Sequence, residues 1–301
     1  MELRDIEYFA VVAEHGNVRR ASEALGLSPP ALSKSLRRLE ESMKAKLVKR
    51  TPKGVELTAV GSALLAQVRR IRLTLNDVVR EASDLSEGRA GHLRIGVSAA
   101  RAEDLPAAYA ALRKDAPNVT LAITVSDNDV MLPALRNGEL DLIVNYLTET
   151  PYDGCVVERL YEDDVVVYAS ARHPLAKRKV VTMADLSREQ WALSTVNMLP
   201  WHWLYRAFQD KGLPPPQVAV ETRSVRIRLQ TVASSNLLGF ISRRIVRQAA
   251  PSFRLIALPV RDVTWRRPVG VIYRKEAYLS PAARRLIEIL KAMAKEIAKE
   301  R

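Results

Sequence analysis

Between Pro29 and Ser42, one side of a helical repeat carries Pro30, Ser33, Lys34, Arg37, Arg38 and Glu41. Leu32, Leu36, Leu39 and Met43 recur on the other side at steps of 4, 3 and 4. Short hydroxyl side chains near a helix start, followed by long cations, suit a helix laid in the major groove of duplex DNA. Hydroxyl and ammonium groups reach base edges, and guanidinium groups reach phosphates. Residues 17–53 hold ten cations against three acids. A solvated basic face is the bland alternative on charge alone. Two chemically distinct faces on one helix favour a helix-turn-helix over a generic three-helix packing.

The neighbouring elements exist to position that face. Leu3, Ile6, Phe9, Ala10 and Ala13 form the stripe of a first helix that stops at Gly16. Asn17 caps a second, with Val18, Ala21 and Leu25 inward and Gly26 at its end. Ser28 followed by Pro29 caps the third. The candidate DNA contacts are Asn17, Arg19, Arg20, Ser28, Pro30, Ser33, Lys34, Arg37 and Arg38. Leu47–Arg50, a turn over Thr51–Gly54 and Val55–Leu57 read as a hairpin wing, adding Arg50 and Lys53. From Leu57 the apolar positions Gly61, Leu64, Val68, Ile71, Leu75, Val78, Ala82 and Leu85 alternate steps of 4 and 3. A heptad sustained that far predicts a dimerising helix with Leu64, Val68, Ile71, Leu75 and Val78 at its seam, rather than a helix packed only on its own domain. Residues 84–91 read as a hinge.

These residues resemble the LysR-type transcriptional regulators. The likeness runs through Leu3–Phe9, Ala21–Leu25, Leu27–Ser33, Leu36–Glu40, Arg50-Thr51, Gly54–Thr58 and Gly61. Family members usually have Gln where Pro29 stands and Phe where Val48 stands. The resemblance implies an α/β multidomain protein: a winged helix-turn-helix, a long linker helix that pairs subunits, and a two-lobed effector domain built like periplasmic binding proteins. It implies operator or promoter DNA as partner, a homodimer or homotetramer, RNA polymerase as a further partner, and a small-molecule effector. The expected limits are 1–58 for the DNA-binding domain, 59–90 for the linker and 91–301 for the effector domain. Lobe I would span 91–161 and 268–301, and lobe II 162–267.

In that last region strands and helices alternate: Leu93–Val97, a helix over Leu105–Lys114, Val119–Val125, a helix over Val130–Arg136, Leu140–Tyr146, then Asp163–Ser170, Trp191–Thr195, Val218–Glu221, a helix over Val225–Ala233, Leu238–Ser242 and Trp265–Arg274. Alternation predicts parallel sheet. Ligands of such sheets bind beyond the carboxyl ends of the strands, near helix N-termini. That rule selects Ser98, Arg101, Asp127, Asn128, Asn145, Thr195, Asn197, Phe240 and Ile241. Arg223, next to a strand, suits an effector carboxylate. Glu103 and Asp104 read as helix caps. Trp201–Tyr205 offers an aromatic wall, although Leu204 and Phe208 read as core. Residues 223–267 hold ten arginines against the single acid Asp262, most of them expected to face solvent or another subunit. The effector is therefore expected to be a polar or anionic metabolite, with no cofactor and no metal.

The remaining arithmetic excludes several classes. The 301 residues carry a net charge of +13, a surplus that suits a polyanionic partner. Cys155 is the one cysteine, so no disulfide framework forms, and a reducing compartment, the cytoplasm, is expected. The charged start from Glu2 to Glu7 suits no signal peptide, and no apolar run is long enough for a membrane. His15, His92, His173 and His202 lie far apart, and no nucleophile elbow or phosphate loop is present. The chain is read as no enzyme. The rival readings are a non-specific DNA-binding protein, a cytoplasmic solute-binding module and an undetected enzyme.

Overall fold

The computed structural model describes residues 2–52, 54–87, 91–148, 151–195, 199–260 and 263–299. It divides into two compact units, Met1–Ser86 and Glu87–Arg301.

In the first unit, α1 (Leu3–His15) stops at Gly16, whose φ of +59° is open to a residue without Cβ. In α2 (Val18–Ala24) the free backbone N–H groups of Arg19 and Arg20 donate to Asn17 Oδ1 at 2.8 and 3.2 Å. In α3 (Pro29–Met43), Ser28 Oγ accepts from Ala31 N–H at 3.3 Å. Leu32, Leu36 and Leu39 pack with Phe9, Ala10, Val12 and Ala21, as their spacing predicts. β1 (Val48–Thr51) and β2 (Gly54–Leu57) pair antiparallel as the wing. α4 (Ala59–Glu87) follows, and its Leu65 and Val68 complete the core.

Two glycines fix where wing and helix sit. A Cβ on Gly54, at φ +134°, would stand 2.3 Å from the Gly16 carbonyl oxygen, which accepts from Val55 N–H at 2.8 Å. A Cβ on Gly61 would stand 2.0 Å from the carbonyl oxygen of Leu47. The first turn of α4 therefore lies directly against backbone.

A buried charge joins α1 to α3. Asp5 is fully buried and accepts from Ser35 Oγ at 2.6 Å and from Arg38 Nε at 2.9 Å, with a second, closer bond from Arg38 Nη2. The Arg38 bonds hold its carboxyl well below the usual carboxylate range although burial pushes it up; Ser35 and the Glu2 N–H reinforce them. The unfolded chain thus takes up the proton more readily than the folded one. The stability this pair contributes is complete above the ordinary carboxylate pKa, about 4, and is lost as pH falls below it. Asp5→Asn is expected to destabilise the first unit at pH 7 and to flatten its loss of stability between pH 4 and 2. Denaturation followed by circular dichroism checks this, and an acid profile identical to the parent's would refute it.

The second unit is one mixed sheet covered by helices. β3 (His92–Val97), α5 (Leu105–Asp115), β4 (Thr120–Val125), α6 (Asn128–Arg136) and β5 (Leu142–Tyr146) open it, followed by β6 (Cys155–Ser170). Then come α7 (Met183–Leu186), β7 (Gln190–Leu193), α8 (Leu199–Gln209), β8 (Gln217–Glu221), α9 (Val225–Ala233), β9 (Leu238–Ser242) and α10 (Arg243–Phe253). β10 (Leu255–Ala257), β11 (Thr264–Arg274) and α11 (Pro281–Lys299) close the chain. The strand order is β4-β3-β5-β11-β6-β9-β7-β8, with β10 beside β6. The expected parallel pairing holds within β4-β3-β5 and β9-β7-β8. It fails for β6, β10 and β11, which pair antiparallel. Two parallel flanks of sheet are thus joined by a long antiparallel ribbon, β6 against β11. One core gathers Leu93, Ile95, Leu112, Leu142 and Leu286; another gathers Val167, Trp191, Leu204, Phe208 and Leu238. The large side chains of α8 divide between roles: Leu204 and Phe208 are core, while Trp203 stacks on Phe240 and Trp265.

Candidate functional site

On the first unit, Lys34 and Arg37 stand exposed on α3, with Ser33 half-buried beside them and Pro30 exposed at the first turn. Neither cation has an ion-pair partner among the described residues. Arg38, expected to reach DNA, is instead engaged by Asp5, because a fully buried carboxylate needs a counter-charge. Glu2 also lies 3.6 Å from it. Arg19 pairs with Glu23 at 3.4 Å, and Arg20 is exposed. Asn17 and Ser28 hold helix N-termini with the oxygens they would offer to DNA. Arg50 is exposed on β1, and Lys53 lies outside the described residues. Sequence reasoning missed Glu40. It accepts from the backbone N–H groups of Leu47 and Val48 at 2.9 and 3.3 Å and from Lys46 Nζ at 2.7 Å. Burial alone would raise its pKa, yet these bonds lower it. Glu40 ties the start of the wing to α3.

The heptad divides. Val68 is buried in the core of the first unit, and Leu64 packs against that core, which corrects the expectation that both lie at a seam between subunits. Ile71, Leu75 and Val78 are 54, 55 and 55% exposed, an apolar stripe left uncovered among the described residues.

Among the described residues of the second unit, the carboxyl ends of the six parallel strands open on a cavity of about 580 Å³. Ser98 follows β3, Ser126 and Asp127 follow β4, Asn145 and Tyr146 end β5, and Ser194 follows β7; Arg223 and Ser224 follow β8, and Ser242 ends β9. The N-termini of α6, α8 and α9 face it through Asn128, Leu199 and Val225. Of the expected effector residues, Ser98, Asp127, Asn128, Asn145, Arg223, Phe240 and Ile241 line it. Thr195 does not, Asn197 lies outside the described residues, and Arg101 is a correction. Arg101 is 1% exposed, 2.6 Å from the Tyr161 hydroxyl and 3.3 Å from Asp163, in a buried network that also holds Asp104. Tyr146, Tyr161, Asp163 and Asp104 outweigh the burial that disfavours its charge. Asp104 stands at the N-cap position of α5, but its side chain makes no capping bond; it accepts from Tyr161 at 3.2 Å and pairs with Arg244 at 3.1 Å.

Within the cavity Asn145 Nδ2 donates to Asn128 Oδ1 at 2.7 Å, and Arg223 lies 3.8 Å from Asp127. Arg228 and Arg267, which no spacing singles out, also line it and are each 6% exposed. Burial lowers the pKa of both, that of Arg267 to about 10. Ser98 Oγ and Arg228 Nε are buried without a hydrogen-bond partner. These are the features of a polar binding site, and nothing in the lining forms a nucleophile and base pair.

A winged helix-turn-helix with a basic face, followed in the chain by an α/β unit whose strand ends surround a polar cavity, defines a DNA-binding regulator with a ligand-binding domain. The chain belongs to the LysR family of transcriptional regulators: residues 3–62 match the bacterial regulatory helix-turn-helix protein, lysR family, and residues 86–295 match the LysR substrate binding domain. It is 28% identical over 295 residues to the HTH-type transcriptional regulator GbpR of Azospirillum brasilense, covering 97% of this chain and 86% of that protein. It is 30% identical to the small neutral protease regulatory protein of Streptomyces coelicolor over 71% of this chain and 66% of that protein. The fold is shared with ArgP from Mycobacterium tuberculosis at TM-score 0.66 and 20% identity, over 98% of this chain and 97% of that one. It is shared with full-length CbnR complexed with its target DNA at TM-score 0.62 and 21% identity, over 97% and 99%. The family comprises regulators rather than enzymes, and its effector domain binds small molecules. Among the described residues no helix is long and apolar enough to cross a membrane.

Proposed function

We propose that this regulator recognises a specific operator through Ser33, Lys34 and Arg37 of α3 together with Arg50 of the wing. The observation that carries the reading is the exposed pair Lys34 and Arg37, left without counter-charges on the same helix where Arg38 is matched. The protein acts in the cytoplasm as a homodimer or a dimer of dimers, paired through Ile71, Leu75 and Val78, and its operator-bound form meets RNA polymerase. The DNA-binding domain spans 1–58, the linker 59–90 and the effector domain 91–301, divided into lobes at 161/162 and 267/268. The cavity at the strand ends takes a small polar or anionic effector. No catalytic step is assigned.

Footprinting on DNA upstream of its own coding region tests the reading. A discrete protected site at about 0.15 M salt is expected; coverage without a site, or binding at low salt only, would make the protein a phosphate-driven DNA coater instead. With Arg37 on a phosphate, Arg37→Ala weakens binding to all sequences alike and reduces the salt slope by about 0.9 for each phosphate no longer neutralised. Weakening confined to one operator would make Arg37 a base reader.

A further inference from the structure

Arg228, on the second turn of α9, and Arg267, on β11, approach the cavity from different elements, and each is 6% exposed. Neither guanidinium has a hydrogen bond or ion pair among the described residues. Arg228 Nε is buried without a partner, and so is Ser98 Oγ across the same cavity. Arg267 is held by its faces, 4.1 Å from the Tyr146 ring and 4.3 Å from the Trp265 ring. Stacking fixes the plane and leaves the N–H edge for another acceptor.

Among the described residues no acid bonds either guanidinium, although Asp127 acts on Arg228 and Asp163 on Arg267 at longer range. Both Asp163 oxygens are occupied, one accepting from Ser242 Oγ at 3.0 Å and the other from the Tyr146 hydroxyl at 2.6 Å, with Arg101 at 3.3 Å. Asp127 stands by Arg223 at 3.8 Å, and Asp129 is exposed at the rim. The cavity is therefore cationic in depth and mixed in charge at its mouth. Two buried guanidinium groups without a bonded carboxylate carry a desolvation cost, and an anion that reaches them offsets that cost through charge-assisted, bidentate bonds. One carboxylate answers one arginine. The volume, about 580 Å³, holds a larger molecule.

Resting on the reading of this cavity as the effector site, we propose that its ligand is a small molecule carrying two anionic groups, carboxylate or phosphate, one held by Arg228 and the other by Arg267. Ser98 Oγ hydrogen-bonds the portion between them.

The test uses the full-length protein, titrated with succinate, 3-phosphoglycerate, butyrate and succinamide and followed by tryptophan fluorescence and thermal shift. Succinate or 3-phosphoglycerate is expected to bind at least tenfold more tightly than butyrate and succinamide, and the preferred one distinguishes a carboxylate from a phosphate head. Arg228→Met and Arg267→Met should each weaken the dianion at least tenfold. Free of ligand, Arg228→Met should unfold at a higher temperature than the parent, because volume is kept while a buried charge without a bonded carboxylate is removed. A lower unfolding temperature for that variant would make Arg228 structural and overturn the proposal. Butyrate or succinamide binding as tightly as succinate would overturn it while leaving the effector site in place. No binding by any of the four would overturn it as well, with the operator footprint judging the regulator reading separately.

Discussion

The double variant Ile71→Lys/Leu75→Lys is expected to be monomeric and to lose most of its affinity for operator DNA. Both positions are more than half exposed, so the folded subunit does not depend on them. They sit four residues apart on α4, with Val78 three further on, and at ~1.5 Å per residue the 29-residue helix is roughly 44 Å long. Charges placed on that stripe leave two lysines facing two more across any seam. A monomer holds one half-site at a time and forfeits the effective concentration that pairing provides, on the order of 10²–10⁴ in affinity. Sedimentation and binding isotherms report the two effects separately. An unchanged sedimentation profile would remove Ile71 and Leu75 from the interface. Leu64 and Val68 make a poor test, since changing them damages the core of the first unit itself.

Gly61→Val is expected to unfold the DNA-binding unit and leave the effector domain intact. The added Cβ meets the Leu47 carbonyl at 2.0 Å, and neither partner is a side chain able to rotate away. Thr58 sharpens the problem: its backbone N–H donates to Leu47 O at 3.0 Å and its Oγ1 accepts from Gly61 N–H at 3.0 Å, so helix start and wing start share one joint. Forcing that joint apart costs about 3 kcal/mol, the upper range for overpacking. The four tryptophans, Trp191, Trp201, Trp203 and Trp265, all belong to the second unit. Loss of helical circular dichroism with unchanged tryptophan fluorescence is the expected signature. A shift in both would mean that the two units do not unfold independently.

Local signals explain why the first unit is legible in the sequence. Gly16, Asn17, Ser28-Pro29 and the 4-3-4 leucines each act within a few residues, and the helices begin and end where those signals stand. What the sequence hides acts at long range. Arg38 looks like its neighbour Arg37 until Asp5, thirty-three residues away, is folded against it. Arg101 follows a strand as a ligand residue should, yet it turns to Asp163 and Tyr161. Arg228 and Arg267 are two arginines among ten, and burial, which no spacing reports there, sets them apart. The strand-end rule still leads to Ser98, Asp127, Asn128 and Asn145, because it depends only on where parallel strands stop. It does not foresee the first half of β6, whose partner β11 lies more than a hundred residues on.

That ribbon bears on how the chain is made. β11 lies between β5 and β6 in the middle of the sheet, yet it is the last strand to be synthesised. Until it leaves the ribosome, β5 lacks its neighbour on one side and β6 lacks its longest pairing. The DNA-binding unit, complete by Ser86, has all its contacts long before. A nascent chain therefore carries a finished DNA-binding unit while the domain that controls it is still open along its centre.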